Sequence, residues 1–113
     1  MMESLISEIK LFTKERDWEK YHSPKNLAIG LNVEASELLE IFLWLSEEES
    51  KNLTEGQIQN VREEIGDVLI YLINIADKLG LDPVECAKQK LERNKIKYPA
   101  SIVRGSAKKY SEY

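Results

Sequence analysis

The sequence has little cysteine and little histidine: its 113 residues contain one of each, Cys86 and His22. A single cysteine excludes an intramolecular disulfide framework, so we expect a reducing, cytoplasmic location. The first residues lack the charged-then-apolar profile of a secretory signal, and no apolar run is long enough to span a bilayer. We therefore predict a soluble, single-domain protein that has no membrane partner.

Positive charge is in deficit as well, with 16 lysine and arginine residues against 20 aspartate and glutamate residues and a net charge of -4. Proteins that bind polymeric nucleic acid draw much of their affinity from a basic surface. The charge balance therefore argues against DNA or RNA as a partner.

Proline and glycine are scarce, at three and five residues, and the segments between them repeat their apolar residues with a period near 3.6. This pattern predicts an all-α fold, an antiparallel bundle of about four helices. The polar stretch SEEESKN breaks the pattern between the second and third helices. Residues 1–99 are the predicted helical domain, and residues 100–113 a basic C-terminal tail. The expected helices run from about Ser4 to Arg16, Pro24 to Leu45, Thr54 to Leu79 and Pro83 to Lys97.

An acidic residue interrupts the apolar stripe of the second helix. At 100° per residue, Glu34 falls at the centre of that stripe, and Glu37 falls on its edge. Because residues three apart are neighbours on a helix, the two carboxylates can reach one point. The apolar members of the stripe are Leu27, Leu31, Leu38, Ile41 and Leu45.

The third helix repeats this arrangement, with Glu64 and Asp67 on the flank of an apolar face. At 1.5 Å per residue, Glu37 and Glu64 lie about 12 and 15 Å from the turn that joins the two helices. A short connection favours antiparallel packing, which would place the two acidic pairs at one level. Glu63 points further from the apolar face. We expect it to be solvated, or to contact a metal ligand rather than the metal itself. That face comprises Val61, Ile65, Val68, Leu72, Ile75 and Leu79.

Four gathered carboxylates repel one another, at about 4 kcal/mol per contact of 4 Å when the effective dielectric constant is 20. The sum would rival the stability of a small domain, about 5 to 15 kcal/mol, so a cation is expected to offset it. Oxygen ligands without a second histidine or a cysteine cluster favour Mg²⁺, with Mn²⁺ as a substitute. Either acidic pair alone would more simply be a solvated helix face. The predicted metal ligands are Glu34, Glu37, Glu64 and Asp67.

Magnesium held by carboxylates commonly leaves positions for phosphate oxygens, which predicts an anionic phosphate substrate. Basic residues that could meet phosphates, or could form an ordinary exposed basic face, are Lys88, Lys90, Arg93, Lys95, Lys97, Arg104, Lys108 and Lys109. The aromatic residues Trp18, Trp44 and Tyr71 could stack on a nucleotide base or pack in the core. His22 could bind a base edge or lie on the surface, and spacing alone does not decide.

Four ordered motifs, ERDWEKYHSPKNL, EASELLEIFLW, EEIGDVLIYL and NKIKYP, belong to a similarity that covers roughly residues 12–99. Together they resemble the MazG-like nucleoside triphosphate pyrophosphohydrolases, and among them the dCTP pyrophosphatase branch. The resemblance implies an all-α, Mg²⁺-dependent enzyme that releases pyrophosphate and forms dimers or tetramers. It implies the same four metal ligands. In our mechanistic hypothesis a water attacks the α-phosphorus, and Glu37, because it lies on the edge of the stripe, accepts its proton rather than Glu34.

The resemblance also implies where the nucleotide binds. The implied base pocket comprises Trp18, His22, Trp44 and Tyr71. The implied contacts with phosphates and sugar are Lys90, Asn94, Lys97 and Tyr98. Two departures leave the preferred base open: Val33 stands where many members have the first Glu of a doublet, and Lys95, Ile96 and Lys97 replace a run richer in arginine. Lysine makes a point contact where arginine grips a phosphate with two bonds.

Three alternatives compete with this interpretation. A dinuclear iron bundle needs Glu-x-x-His pairs, which the one histidine does not form. A non-catalytic helical interaction module would use the acids as surface charge only. An enzyme for damaged or modified nucleotides would share the chemistry but not the substrate. In addition, Ile70 and Ile73 are apolar on the far side of the third helix, which predicts a subunit interface.

Overall fold

The computed structural model describes residues 1–106, and this part of the chain is helical and contains no strand. The all-α prediction is confirmed. Within these residues no helix is both long enough and apolar enough to cross a membrane. The elements are α1 (Met2–Glu15), a 3-10 turn (Glu19–Tyr21), α2 (Pro24–Leu43), α3 (Glu47–Ser50), α4 (Glu55–Lys78), α5 (Pro83–Lys97) and α6 (Ala100–Val103).

Side-chain caps fix the starts of three helices where the sequence predicts them. The Ser23 hydroxyl accepts a hydrogen bond from the Asn26 amide at 3.1 Å, which caps α2. Thr54 and Gln57 form a reciprocal capping box at α4. The Asp82 carboxylate caps α5. These predictions succeed because each cap involves residues within one turn.

Two short helices lie where no helix is predicted. Ser46 and Glu49 form a second capping box inside the polar stretch SEEESKN, which starts the single turn of α3. The other short helix, α6, lies at the start of the predicted tail. Lys108 and Lys109, predicted to carry part of the tail's charge, lie outside the described residues.

The chain divides into two compact units, Met1–Gly80 and the residues from Leu81 onward. In the first unit α2 packs along α4, and α1 contacts α4 less extensively. An ion pair of 3.0 Å between Lys10 and Asp77 joins α1 to the end of α4. The second unit contains α5 and α6.

Neighbouring residues show that α2 and α4 are antiparallel, as predicted. Gly30 of α2 lies against Tyr71 of α4. Further along α2, Glu34 and Glu37 contact Glu64, which comes earlier in α4. Residue numbers therefore rise along one helix as they fall along the other, and the acidic pairs come to the same level.

The core of the first unit is small, and it corrects the predicted apolar face of α4. Ile73, predicted to lie away from the main face in a subunit interface, is 1% exposed in the single chain and therefore belongs to its core instead. Ile65, Leu72 and Leu79, predicted to form that face, are 54%, 42% and 55% exposed. Because residues 68–76 of α4 are apolar nearly all round, their periodicity does not reveal which side packs against α1 and α2. The buried apolar residues are Ile9, Leu27, Ile73 and Ala76.

Candidate metal and nucleotide site

Three carboxylates from two helices gather at the level where α2 and α4 face each other. One oxygen each from Glu34, Glu37 and Glu64 lies within 4.8 Å of the others. Asp67, one turn further along α4, is exposed and lies outside this group of three. Its charge is still close enough to raise the pKa values of Glu34 and Glu64. The structure therefore brings together the four predicted acids, three of them tightly.

Two of these acids are held in an environment that does not suit a lone carboxylate. Oε2 of Glu34 and Oε2 of Glu64 are buried and have no hydrogen-bond partner. Burial, followed by the neighbouring carboxyl groups of Glu37 and Glu64, raises the pKa of Glu34 from 4.5 to about 7. The pKa of Glu64 is also raised, again with burial as the largest cause. Buried acceptors left without partners are costly, so the cluster is suited to a bound cation.

The donor set fits a hard divalent cation. All the gathered ligand atoms are carboxylate oxygens, which Mg²⁺ and Mn²⁺ prefer over softer ligands. Oxygens bound to one octahedral Mg²⁺ ion are about 3.0 Å apart when adjacent and about 4.2 Å apart when opposite, because each bond is about 2.1 Å long. Oxygens that already lie within 4.8 Å of one another need only small side-chain movements to reach that geometry.

One side of the cluster opens onto an acidic groove of about 370 Å³. Glu37 is exposed and borders this groove, whereas Glu34 is half-buried behind it. Glu63 also borders the groove and is exposed, in agreement with its predicted solvation. Water therefore has direct access to Glu37.

A second, larger opening of about 410 Å³ lies between α1, α4 and the segment that follows α1. It brings together Trp18, His22 and Tyr71, three of the four residues predicted to bind the base. Asp67 also lines it, so the cavity adjoins the acidic cluster. Trp44 does not line it: this residue caps the far end of α2 and is 88% exposed. Within one chain, the structure does not place Trp44 with the other three.

A tight reversal after α1 places Trp18 over the cavity. Asp17 adopts a positive φ of 54°, a conformation in which aspartate is found more often than most residues. The Trp18 amide then donates a hydrogen bond to the Thr13 carbonyl at 3.1 Å. The Trp18 ring meets the Phe12 ring edge to face, with 5.7 Å between centroids. An aromatic wall results that is built from α1 and the segment after it.

The cavity residues that were not predicted to be functional include Phe12, Thr13 and Asn74. Thr13 is only 6% exposed. Together with His22 and Asn74 it also lines a smaller adjoining cavity of about 30 Å³, so these three polar side chains stand between the two spaces. For Asn74 a signal existed, since it follows Asp67 and Tyr71 along one flank of the helix. For Thr13 there was none, because the sequence does not show which face of α1 meets α4.

The residues predicted to contact phosphates and sugar belong to the second unit. Their spacing places them on one face of α5 and at its C-terminal end. Asn94 and Tyr98 are half-buried, and the Tyr98 amide donates to the Asn94 carbonyl at 2.8 Å. This set comprises Lys90, Asn94, Lys97 and Tyr98.

Comparisons with known proteins agree with the resemblance found in the four motifs. A sequence model of the MazG-like family matches residues 29–113. dCTP pyrophosphatase 1 of Homo sapiens is 37% identical over 103 residues, and that of Mus musculus is 38% identical over the same length; each match covers 89% of this chain. The chain spans 61% of the length of these relatives. The crystal structure of a pyrophosphatase from Archaeoglobus fulgidus superimposes with a TM-score of 0.82 and 45% identity, over 87% of this chain and 92% of that one.

Proposed function

This chain belongs to the MazG-like family, and we propose on that basis that it hydrolyses a nucleoside triphosphate to the monophosphate and pyrophosphate. The observation that carries the proposal is the carboxylate cluster of Glu34, Glu37 and Glu64 beside an aromatic cavity. Asp67 links the two features, because it lines the cavity and its charge raises the pKa of Glu34. A nucleotide whose base occupies the cavity would therefore present its phosphates toward the acids.

We propose that Glu34, Glu37, Glu64 and Asp67 hold Mg²⁺, with Mn²⁺ as a substitute. When bound, such an ion supplies positive charge to the phosphate oxygens and acidifies a water. The buried, unpartnered oxygens of Glu34 and Glu64 support this role, since a cation would satisfy both. The proposed ion therefore serves the fold as well as the reaction.

The proposed substrate is dCTP or a related or modified pyrimidine nucleotide, as in nucleotide-pool housecleaning. Trp18 and Tyr71 line the cavity, and each of their rings that stacks on a base would contribute about 1 to 3 kcal/mol. His22, Thr13 and Asn74 offer hydrogen-bonding groups at the polar end of the cavity. The named activity of the mammalian relatives favours the deoxycytidine base.

Glu37 is the proposed proton acceptor, in preference to Glu34. Its exposed position at the acidic groove gives it access to water, whereas Glu34 is half-buried. In the proposed reaction, Glu37 accepts a proton from a water molecule while the oxygen of that water bonds to the α-phosphorus. The bond from that phosphorus to the bridging oxygen breaks, and pyrophosphate leaves. Family resemblance alone supports the remaining contacts with phosphates and sugar, from Lys90, Asn94, Lys97 and Tyr98.

We also propose that the protein is a homodimer or a dimer-based tetramer. The exposed apolar residues Ile58, Ile65, Leu72 and Leu79 recur every seven residues along α4 and its C-cap. Half-buried Val61, Val68 and Ile75 fall between them, which completes a two-per-heptad apolar seam. A seam of three heptads facing water would favour association with a second copy.

A cytoplasmic location also remains a prediction.

A panel of triphosphates tests the proposed reaction. The purified protein is incubated with Mg²⁺ and canonical or modified nucleotides, and pyrophosphate release is measured; we expect the highest turnover with deoxycytidine nucleotides. In ¹⁸O-water the label should enter the monophosphate. Label in pyrophosphate would rule out attack at the α-phosphorus. No turnover with any nucleotide would instead favour the non-catalytic interaction module.

A further inference from the structure

Gly30 of α2 lies directly against the ring of Tyr71 of α4. A Cβ atom added at Gly30 would overlap that ring, with Cζ of Tyr71 only 2.7 Å away. Normal contacts between carbon atoms are about 3.5 to 4.0 Å, so the ring would have to retreat by roughly 1 Å. The missing side chain therefore lets Tyr71 lie closer to α2 than any other residue at position 30 would.

Tyr71 connects Gly30 to the 410 Å³ cavity, because its ring lies against Gly30 and also lines the cavity. The α2 backbone blocks movement in one direction, so a displaced ring would move into the cavity. A base stacked on the ring would move with it or be excluded. The carboxylate cluster would stay in place, because Glu34 lies one helical turn beyond Gly30 and is not part of the contact.

We propose that Gly30 is a positioning residue that sets how large a base the cavity accepts. The inference rests on the proposed hydrolysis of nucleotides and extends it to a residue that does not touch the substrate. Gly30 acts through Tyr71: it widens the space between that ring and the wall formed by Phe12 and Trp18. Larger bases, such as pyrimidines with a bulky ring substituent, should depend on it most.

The variant Gly30→Ala tests this. A base displaced by about 1 Å relative to fixed catalytic groups can cost about 100-fold in rate. We expect kcat/KM for dCTP to fall about 10- to 100-fold and that for 5-iodo-dCTP to fall at least about a further tenfold, since the substituent has less room. The thermal shift caused by Mg²⁺ should remain as in the wild type, because the acids are untouched.

Gly66→Ala is the matched control. Gly66 also lies inside a long helix, but a Cβ there meets nothing within 4 Å. It reports the ordinary effect of replacing a helical glycine with alanine, which is stabilising. We expect it to leave the ratio of kcat/KM for the two nucleotides unchanged. If Gly30→Ala behaves like Gly66→Ala in this ratio, the proposal is wrong.

A second experiment covers the case in which Gly30→Ala folds poorly. Adding Tyr71→Leu removes the ring that the new methyl group would strike. Alanine at position 30 should then raise the melting temperature, although it lowers it when Tyr71 is present. An equal effect of the alanine in both backgrounds would overturn the proposal.

The proposed function can fail separately from this inference. Its failure would be seen in the wild type, as an absence of pyrophosphate release. Calorimetric binding of dCMP would then replace turnover, and we expect Gly30→Ala to weaken that binding at least about tenfold. Unchanged binding would refute the role of Gly30.

Discussion

Replacing Glu34 with glutamine removes one charge from the carboxylate cluster and keeps the shape of the side chain. At a separation of 4.8 Å and an effective dielectric constant of 20, two like charges repel by about 3.5 kcal/mol. Proton uptake limits this cost, and a rise in the pKa of Glu34 from 4.5 to about 7 corresponds to at most about 3 kcal/mol. Glu34 is only half-buried, so we discount this to about 1 to 2 kcal/mol at pH 8.

Without metal, Glu34→Gln should therefore be more stable than the wild type at pH 8. The expected rise in melting temperature is about 4 to 8 °C for a domain of this size. At pH 5 the two proteins should melt at nearly the same temperature, because Glu34 already carries a proton there. With Mg²⁺ present, the wild type should become the more stable of the two proteins. Mg²⁺ at 100 times its dissociation constant stabilises the wild type by about 2.7 kcal/mol. The variant has lost a ligand and should gain much less.

Scanning calorimetry in EDTA and in Mg²⁺, at pH 5 and at pH 8, measures the melting temperature of both proteins under each condition. Glu40→Gln is the control, because Glu40 is an exposed carboxylate on the same helix, outside the group of three gathered acids. Its effect should be small and independent of Mg²⁺. The reasoning is refuted if Glu34→Gln destabilises the metal-free protein at pH 8, or if Mg²⁺ stabilises variant and wild type equally.

Three further predictions follow from the same geometry. Between pH 4.5 and about 7, Glu34 binds a proton in the folded chain but not in the unfolded chain. The free energy of unfolding of the metal-free protein should therefore fall as pH rises through this range and level off above it. Denaturant titrations that show a rise would contradict the raised pKa. Asn74→Ala should raise KM for dCTP about 2- to 12-fold, the value of one hydrogen bond, with little change in the Mg²⁺ thermal shift; steady-state kinetics with an unchanged KM would remove Asn74 from the base site. Ile65→Lys should convert the oligomer to monomer in light scattering, with Glu55→Lys as an exposed control on the same helix; a wild type that is monomeric at micromolar concentration would disprove the proposed seam.

The sequence predicts what local physics determines. Ser23, Thr54 and Asp82 start their helices because a cap needs only neighbours within one turn. The meeting of Glu34 with Glu64 could also be predicted, since helical periodicity and a short antiparallel connection together set their level. An acid at the centre of an apolar stripe was the informative signal.

What the sequence does not predict depends on long-range packing. Ile73 is buried and Ile65 exposed because α1 and α2 cover only one side of α4, although apolar residues occur on more than one side of that helix. Thr13 joins the cavity only through the docking of α1 on α4, which its own periodicity does not specify. In the sequence, Gly30 is only a glycine inside a helix, where glycine lowers helix stability. Its contact with Tyr71 is visible only in the structure.

Binding of Mn²⁺, followed by electron paramagnetic resonance of the free ion, tests the metal site most directly. We predict that the wild type removes the signal of free Mn²⁺ in a saturable manner and that Mg²⁺ competes for the same site. Glu34→Gln should bind at least about tenfold more weakly, since one carboxylate ligand is lost. Equal Mn²⁺ binding by the wild type and this variant, or none by either, would contradict the role of the cluster.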